Sequence, residues 1–128
     1  AATEFNKLCR GQMNQMMTDT RILLSEGLKL ASTTFNAARI ALGWVASELD
    51  QFVIHQVSKV HTDSLVNLLG LDPPKVHAIY PEMGNIGPAS VPIVRAKAAE
   101  LGKIRKGDRV ALLGIGSGLN CAMAEVVW

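Results

Sequence analysis

His55, Asn85 and the glycine-rich stretch GIGSG at 114–118 are the places in this 128-residue sequence where residue type and spacing could support chemistry. His55 stands in FVIHQVSKVHT, just past a short run of β-branched and apolar residues, where a rigid strand can aim an imidazole into a cleft. Asn85 sits in GNIGPASVP, where two glycines and a proline shape a tight loop that presents a side-chain amide ahead of a helix. In GIGSG the glycines let the backbone approach a ligand closely, and N–H groups aimed at a developing oxyanion are a strong catalytic device.

Each has a plainer reading. His55 also fits a half-buried structural histidine bonded to a loop carbonyl, Asn85 a turn residue that satisfies its own backbone, and GIGSG a simple hairpin. Ser90 could cap the helix that follows it. A dinucleotide-binding reading of GIGSG fails, because that fingerprint must open a helix and LNCAMAEVVW reads as a buried strand. His61 and His77 have no charged partner in register and receive no role. Cys9 and Cys121 lack a neighbouring base, a CxxC spacing and a histidine at ligand spacing, so they read as reduced packing residues and no metal site is legible.

The elements that must position these residues follow from periodicity. Apolar positions at three- and four-residue steps predict one long helix from Thr18 to a stop at Gly43, its wide apolar stripe marking it as a buried layer helix, with Ala31, Ala37, Ala38 and Ala41 suited to close packing. Next come a strand at 52–54, a helix at 58–69 closed by Gly70 and Pro73-Pro74, a strand at 76–79, a loop at 81–88 and a helix at 89–101. Lys103, Arg105, Lys106 and Arg109 read as a solvated turn, with at most a rim contact to an anionic substrate tail. Strands at 110–113 and 119–127 complete a βαβαββ order, which predicts an α/β domain over residues 1–128 with a mixed sheet and an antiparallel last strand. His55, Asn85 and Ser117 then all lie on loops past the carboxyl ends of strands, where open α/β sheets bind ligands.

Composition bounds the partners. With 48% hydrophobic and 19% charged residues the chain can build a core, which excludes default disorder. A net charge of +2 is too weak a field to predict nucleic-acid or anionic-membrane binding. No apolar run nears the roughly 20 residues of a membrane span, so a soluble, cytoplasmic protein is expected.

In order and spacing, HQVSKVHT, GNIGPASVP and GIGSGLN resemble the second half of a thiolase-superfamily condensing enzyme related to 3-oxoacyl-ACP synthase III. MTDTRILL, LDQFVIHQVS and the ending GDRVALLGIGSGLNCAMAEVVW extend the likeness over essentially the whole chain, and are similar to the OleA type of olefin biosynthesis. The resemblance implies a thiolase-like half and a non-decarboxylative Claisen condensation of two long-chain acyl-CoA thioesters into a β-keto acid, with acyl-CoA as substrate and no cofactor. By motif, His55 and Asn85 match the residues that hold the second thioester's carbonyl as it becomes an enolate, provided His55 is in the matching tautomer. The main-chain N–H of Ser117, between Gly116 and Gly118, matches the loop completing the other oxyanion hole, and Gly84 joins these two glycines beside the substrate.

The family's nucleophilic cysteine and base glutamate belong to an N-terminal half, and this sequence holds neither in matching context. The resemblance therefore implies one pseudo-repeat of a two-repeat, homodimeric enzyme, with part of its own first strand missing and a large apolar face exposed when alone. Two other readings stand beside it. One is half of a decarboxylative 3-oxoacyl-ACP synthase III that uses malonyl-ACP; the other is a non-catalytic acyl-binding or assembly module without the nucleophile.

Overall fold

The computed structural model of the protein describes residues 18–128, and Cys9 lies outside them. Asp19 opens the first helix because its Oδ1 accepts the otherwise free N–H groups of Arg21 and Ile22, both at 3.1 Å. This helix, α1 (Thr20–Leu42), buries Gly27, Ala31, Phe35 and Ala38 along a single stripe of mostly small residues. A Cβ at Gly27 would already stand 3.6 Å from Ile115 Cδ1, so the helix lies close over the sheet. The expectation that its whole apolar stripe is buried is corrected: Ile22, Leu23 and Ile40 are exposed, since among the described residues the helix is covered only on the side that meets the sheet and its neighbouring helix.

Strands β1 (Gln51–Ile54), β2 (Arg109–Gly116) and β3 (Asn120–Val127) form one sheet in the order β1-β2-β3. β1 runs parallel to β2, with Gln51 opposite Val110 and Ile54 opposite Leu113, and β3 returns antiparallel. A parallel pair requires a crossover. Here it contains α2 (Lys59–Leu69), the one-turn α3 (Tyr80–Met83) and α4 (Ser90–Glu100). Side chains alternate across the sheet, and both faces of the parallel pair are covered. Phe52, Ile54, Ala111 and Leu113 pack with Phe35 and Leu65 on one side, whereas Val53 and Val110 pack with Val94, Ala98 and Ile104 on the other. The mixed α/β sheet and antiparallel last strand are thus as expected. β3 itself is not the buried strand that was predicted: it lies at the edge of the described sheet, with Ala122 and Ala124 exposed.

Of the strand expected at 76–79, a single parallel bridge forms, between Phe52 and Val76. The reason is a side chain. Gln56, fully buried, stands in for a neighbouring strand: its Nε2 donates to the His77 carbonyl at 2.6 Å, while its Oε1 accepts from the N–H groups of Ile79 and Tyr80 at 2.7 and 3.1 Å. Backbone groups that a ladder would have paired are satisfied by an amide, and the chain is released into α3. The segment expected as a loop at 81–88 accordingly holds most of α3 and the start of a 3-10 turn at Gly87–Ala89. No helix among the described residues is long and apolar enough to cross a membrane.

Candidate active site

His55 is the first residue past β1, yet the sheet still holds its backbone, its N–H donating to the Leu113 carbonyl at 2.8 Å. Burial pushes its imidazole below the usual value, and a hydrogen bond with the Gly87 backbone works the other way. Burial thus favours the neutral ring, in which one nitrogen carries the N–H and the other accepts.

Asn85 is delivered by Gly84, whose φ of 62° and ψ of −145° fall in a region nearly closed to residues with a side chain. Asn85 Oδ1 accepts from the Gly87 N–H at 3.0 Å. The turn reading is thus realised without removing the other, because the amide NH₂ is the half left to donate. Ser90 does not cap α4. Its Oγ instead accepts the Gln56 N–H at 2.9 Å, deep in the molecule, because that N–H sits where no backbone carbonyl reaches it.

His55, Asn85, Gly116 and Ser117 come together on the wall of one cavity of about 720 Å³ at the C-terminal edge of the parallel pair. The rest of the wall is mostly apolar, with Leu23 and Leu24 from α1, Val57 and Val60 around the start of α2, and Ile115 and Leu119 from the β2–β3 hairpin. Gly84 and Gly118, expected beside the substrate, are not on this wall. Gly84 acts from behind by turning the chain into Asn85, and Gly118, at φ 134°, closes the hairpin. A second groove of about 300 Å³ adjoins the first, shares His55, Gly87, Pro88 and Ile115 with it, and is otherwise floored by Leu112 and Met123.

Sequence reasoning passed over His61, which also lines the larger cavity. Its ring meets His55 edge to face, 6.3 Å between centroids and 82° between planes. The signal lay in the spacing: Ser58 caps α2, its Oγ accepting the His61 N–H at 3.3 Å, and the first helical turn brings His61 back beside the strand end. Its Nδ1 is buried without a hydrogen-bond partner among the described residues, and burial, then the charge of His55, hold its imidazole below the usual value. The first turns of α1, which supply Thr20, Leu24 and Gly27, were likewise not assigned to the site.

Other expectations resolve away from the cavity. None of Lys103, Arg105, Lys106 and Arg109 lines it. Arg109 begins β2 while the cavity lies at that strand's other end, about 23 Å off at roughly 3.3 Å per residue. Its guanidinium is held by Glu125 at 2.6 and 3.1 Å, with Glu48 at 3.5 Å. The rim contact is therefore withdrawn for this stretch. His77 lies against Lys103, 3.1 Å from Nδ1 to Nζ. Cys121, which has no cysteine partner among the described residues, is a half-buried thiol pushed up by burial, with a hydrogen bond to Thr34 opposing, and it stays a packing residue. Among the described residues no group of three or more His, Cys, Asp or Glu could hold a metal.

Residues 40–128 match the family described as 3-Oxoacyl-[acyl-carrier-protein (ACP)] synthase III C terminal. The chain belongs to that family. This synthase III relative is 66% identical over 128 residues to the acyl-CoA:acyl-CoA alkyltransferase of Xanthomonas campestris pv. campestris, a match covering 100% of the chain and 38% of the relative. It superposes with a TM-score of 0.85 and 66% identity on a cysteine-to-serine variant of Xanthomonas campestris OleA with bound lauric acid and lauroyl-CoA, covering 90% of this chain and 34% of that one. A structure of 3-oxoacyl-(acyl carrier protein) synthase III, FabH, from Xanthomonas oryzae pv. oryzae gives a TM-score of 0.85 at 67% identity, covering 100% and 38% respectively. The chain thus spans well under half the length of these relatives. The synthase III membership and these neighbours bear out the thiolase-like α/β fold and the OleA likeness.

Proposed function

We propose that the chain contributes the carbonyl-stabilising part of an acyltransferase that condenses two long-chain acyl-CoA thioesters, without decarboxylation, into a β-keto acid. The observation that carries this is the convergence of His55, Asn85 and the Gly116-Ser117 backbone on one largely apolar cavity. The α-carbon of one thioester loses a proton to a base outside this chain. The resulting enolate carbon attacks the acyl group carried on a cysteine of the N-terminal half; a C–C bond forms, the C–S bond breaks and the thiolate leaves. Hydrolysis of the remaining CoA thioester then yields the β-keto acid.

In this scheme the His55 N–H and the Asn85 amide hold the enolate oxygen, and the Ser117 N–H holds the oxyanion of the tetrahedral intermediate. Each donor acts on charge only as it forms, and loss of one such donor typically costs about 10²–10³ in rate. The two hollows that meet at His55 suit two alkyl chains, one for each thioester. The partners are acyl-CoA, the N-terminal half and a second copy of the complete enzyme, with no cofactor needed. A cytoplasmic setting belongs to the same reading.

The test joins this chain to the N-terminal portion of the Xanthomonas campestris alkyltransferase and supplies long-chain acyl-CoA alone. Release of free CoA with formation of β-keto acid supports the proposal. The 67% identity to the Xanthomonas oryzae synthase III favours a second reading, decarboxylative condensation with malonyl-ACP, which predicts product only when malonyl-ACP is added. A folded protein that binds acyl-CoA but neither transfers nor condenses acyl groups would be the non-catalytic module.

A further inference from the structure

We infer that Gln56 and Ser90 are positioning residues, a buried amide–hydroxyl clasp that fixes His55 relative to Asn85 and so governs the condensation step without touching substrate. The inference rests on the condensation reading given above. Gln56 is 0% and Ser90 1% exposed, and neither lines the cavity. Gln56 is bonded covalently to His55, and every hydrogen bond it makes goes to the segment that carries Asn85. Its side chain holds the His77 carbonyl and the Ile79 and Tyr80 N–H groups ahead of Asn85, while its own N–H is held by Ser90 beyond it. The Asn85 loop is thus pinned at both ends to the residue next to His55.

The chemistry of the pins explains the residue types. A leucine would fill much the same volume, but only a carboxamide offers an acceptor to two neighbouring N–H groups and a donor to a carbonyl at once. In a buried setting such a network admits a single geometry, because every alternative leaves a polar group unpaired. Gly84 then turns the pinned chain so that Asn85 faces the cavity. Asn85 needs this support because its own Oδ1 is engaged locally with Gly87 and makes no bond to the strand.

The test uses Gln56→Glu, Gln56→Leu and Ser90→Ala in the complete condensing polypeptide, or in this chain joined to the Xanthomonas campestris N-terminal portion. Single-turnover CoA release reports transfer of the first acyl group, product formation reports condensation, and hydrogen exchange across residues 79–87 reports the loop with no substrate present. The expected result is acyl transfer within a few-fold of the parent and condensation reduced about 10²-fold, the scale of a displacement of about 1 Å at a reacting centre. Exchange across the loop quickens in all three variants. Gln56→Glu regains condensation as the pH is lowered, because a protonated carboxyl donates to the His77 carbonyl and accepts from Ile79 and Tyr80 as the amide does; Gln56→Leu does not. Equal losses in both steps, parent-like condensation in Gln56→Leu, or unchanged exchange would overturn the inference. If Gln56→Leu fails to fold, Ser90→Ala and the pH response of Gln56→Glu decide. If the parent does not condense, the condensation reading falls while exchange still decides whether the clasp holds the loop.

Discussion

Gly84→Ala is the substitution whose effect is most closely fixed by the structure. Nothing lies within 4 Å of a Cβ built there, so the added methyl meets no neighbour and the packing contribution is near zero. What remains is backbone: at φ 62° and ψ −145° a residue with a side chain is strained by about 1–3 kcal/mol. Against this, alanine restricts the unfolded chain and returns about 0.4–1 kcal/mol. The net expectation is a destabilisation of about 1–2 kcal/mol, roughly a 5- to 30-fold shift in the unfolding equilibrium. The folded chain relieves the strain by rotating about this residue, which swings Asn85 away from His55. Condensation should therefore fall further than transfer of the first acyl group. Urea titration and the two single-turnover rates measure both effects. Gly114→Ala is the control: its Cβ would meet the Ala122 carbonyl at an ordinary 3.7 Å with no positive φ, and it should leave stability near the parent's. A Gly84→Ala protein as stable as the parent, or one that loses both rates equally, would refute the reasoning.

Arg109→Ala should lower the thermal midpoint, because Glu125 keeps only its bond from the Trp44 indole, 2.7 Å at Oε2. It should leave KM and kcat for condensation unchanged, and a change in KM would return the basic turn to the substrate path. His61→Phe keeps the edge-to-face packing and removes the orphaned Nδ1, so thermal melts should show equal or higher stability. Because the charge of His55 acts on His61, and His61 is not among the causes of the His55 shift, the acid limb of the condensation pH profile should stay at the parent's position; a displaced limb would contradict that order of protonation. Finally, His55, His61 and His77 all titrate below the ordinary imidazole value of about 6.5, with burial the largest cause in each. The unfolded chain then binds protons first, so stability present above pH 6.5 is lost as pH falls through the folded values. Stability that rose between pH 7 and 5 would contradict this, provided the carboxylates are separated by measurement on the His61→Phe protein.

The parts of the fold that could be read from the sequence are those fixed by local pattern. The periodicity of α1, the glycine after α2 and the run VALL each act over a few residues, and each is found where predicted. His55 and Asn85 were legible for the same reason, standing where a strand ends and where two glycines bracket an amide. What local pattern does not carry is a bond between distant residues. The strand expected at 76–79 dissolves into one bridge because the Gln56 side chain reaches its backbone from 21 to 24 positions away. A cap was one local possibility for Ser90, yet it serves a residue 34 positions earlier. His61 was passed over because strand and helix must first be set at their true angle for the two rings to meet. The exposure of β3 was missed because periodicity distinguishes apolar from polar residues, whereas Ala122 and Ala124 lie outward through the position of their strand at the sheet's edge.

The parallel pairing of β1 with β2 also sets an order of events during synthesis. Asp50 and Arg109 are 59 positions apart, and their mutual bonds, 2.9 Å from the Asp50 N–H and 2.8 Å to its carboxylate, form only when that whole length has left the ribosome. α1 depends on near neighbours and can assemble early, while the long loop closure that joins β1 to β2 comes late and slowly. Since the Leu113 carbonyl that anchors the His55 backbone sits on the far side of that closure, the cavity takes shape last. A nascent chain lacks this pocket until β2 and β3 arrive, so ligand binding there reports the closed sheet rather than partial collapse.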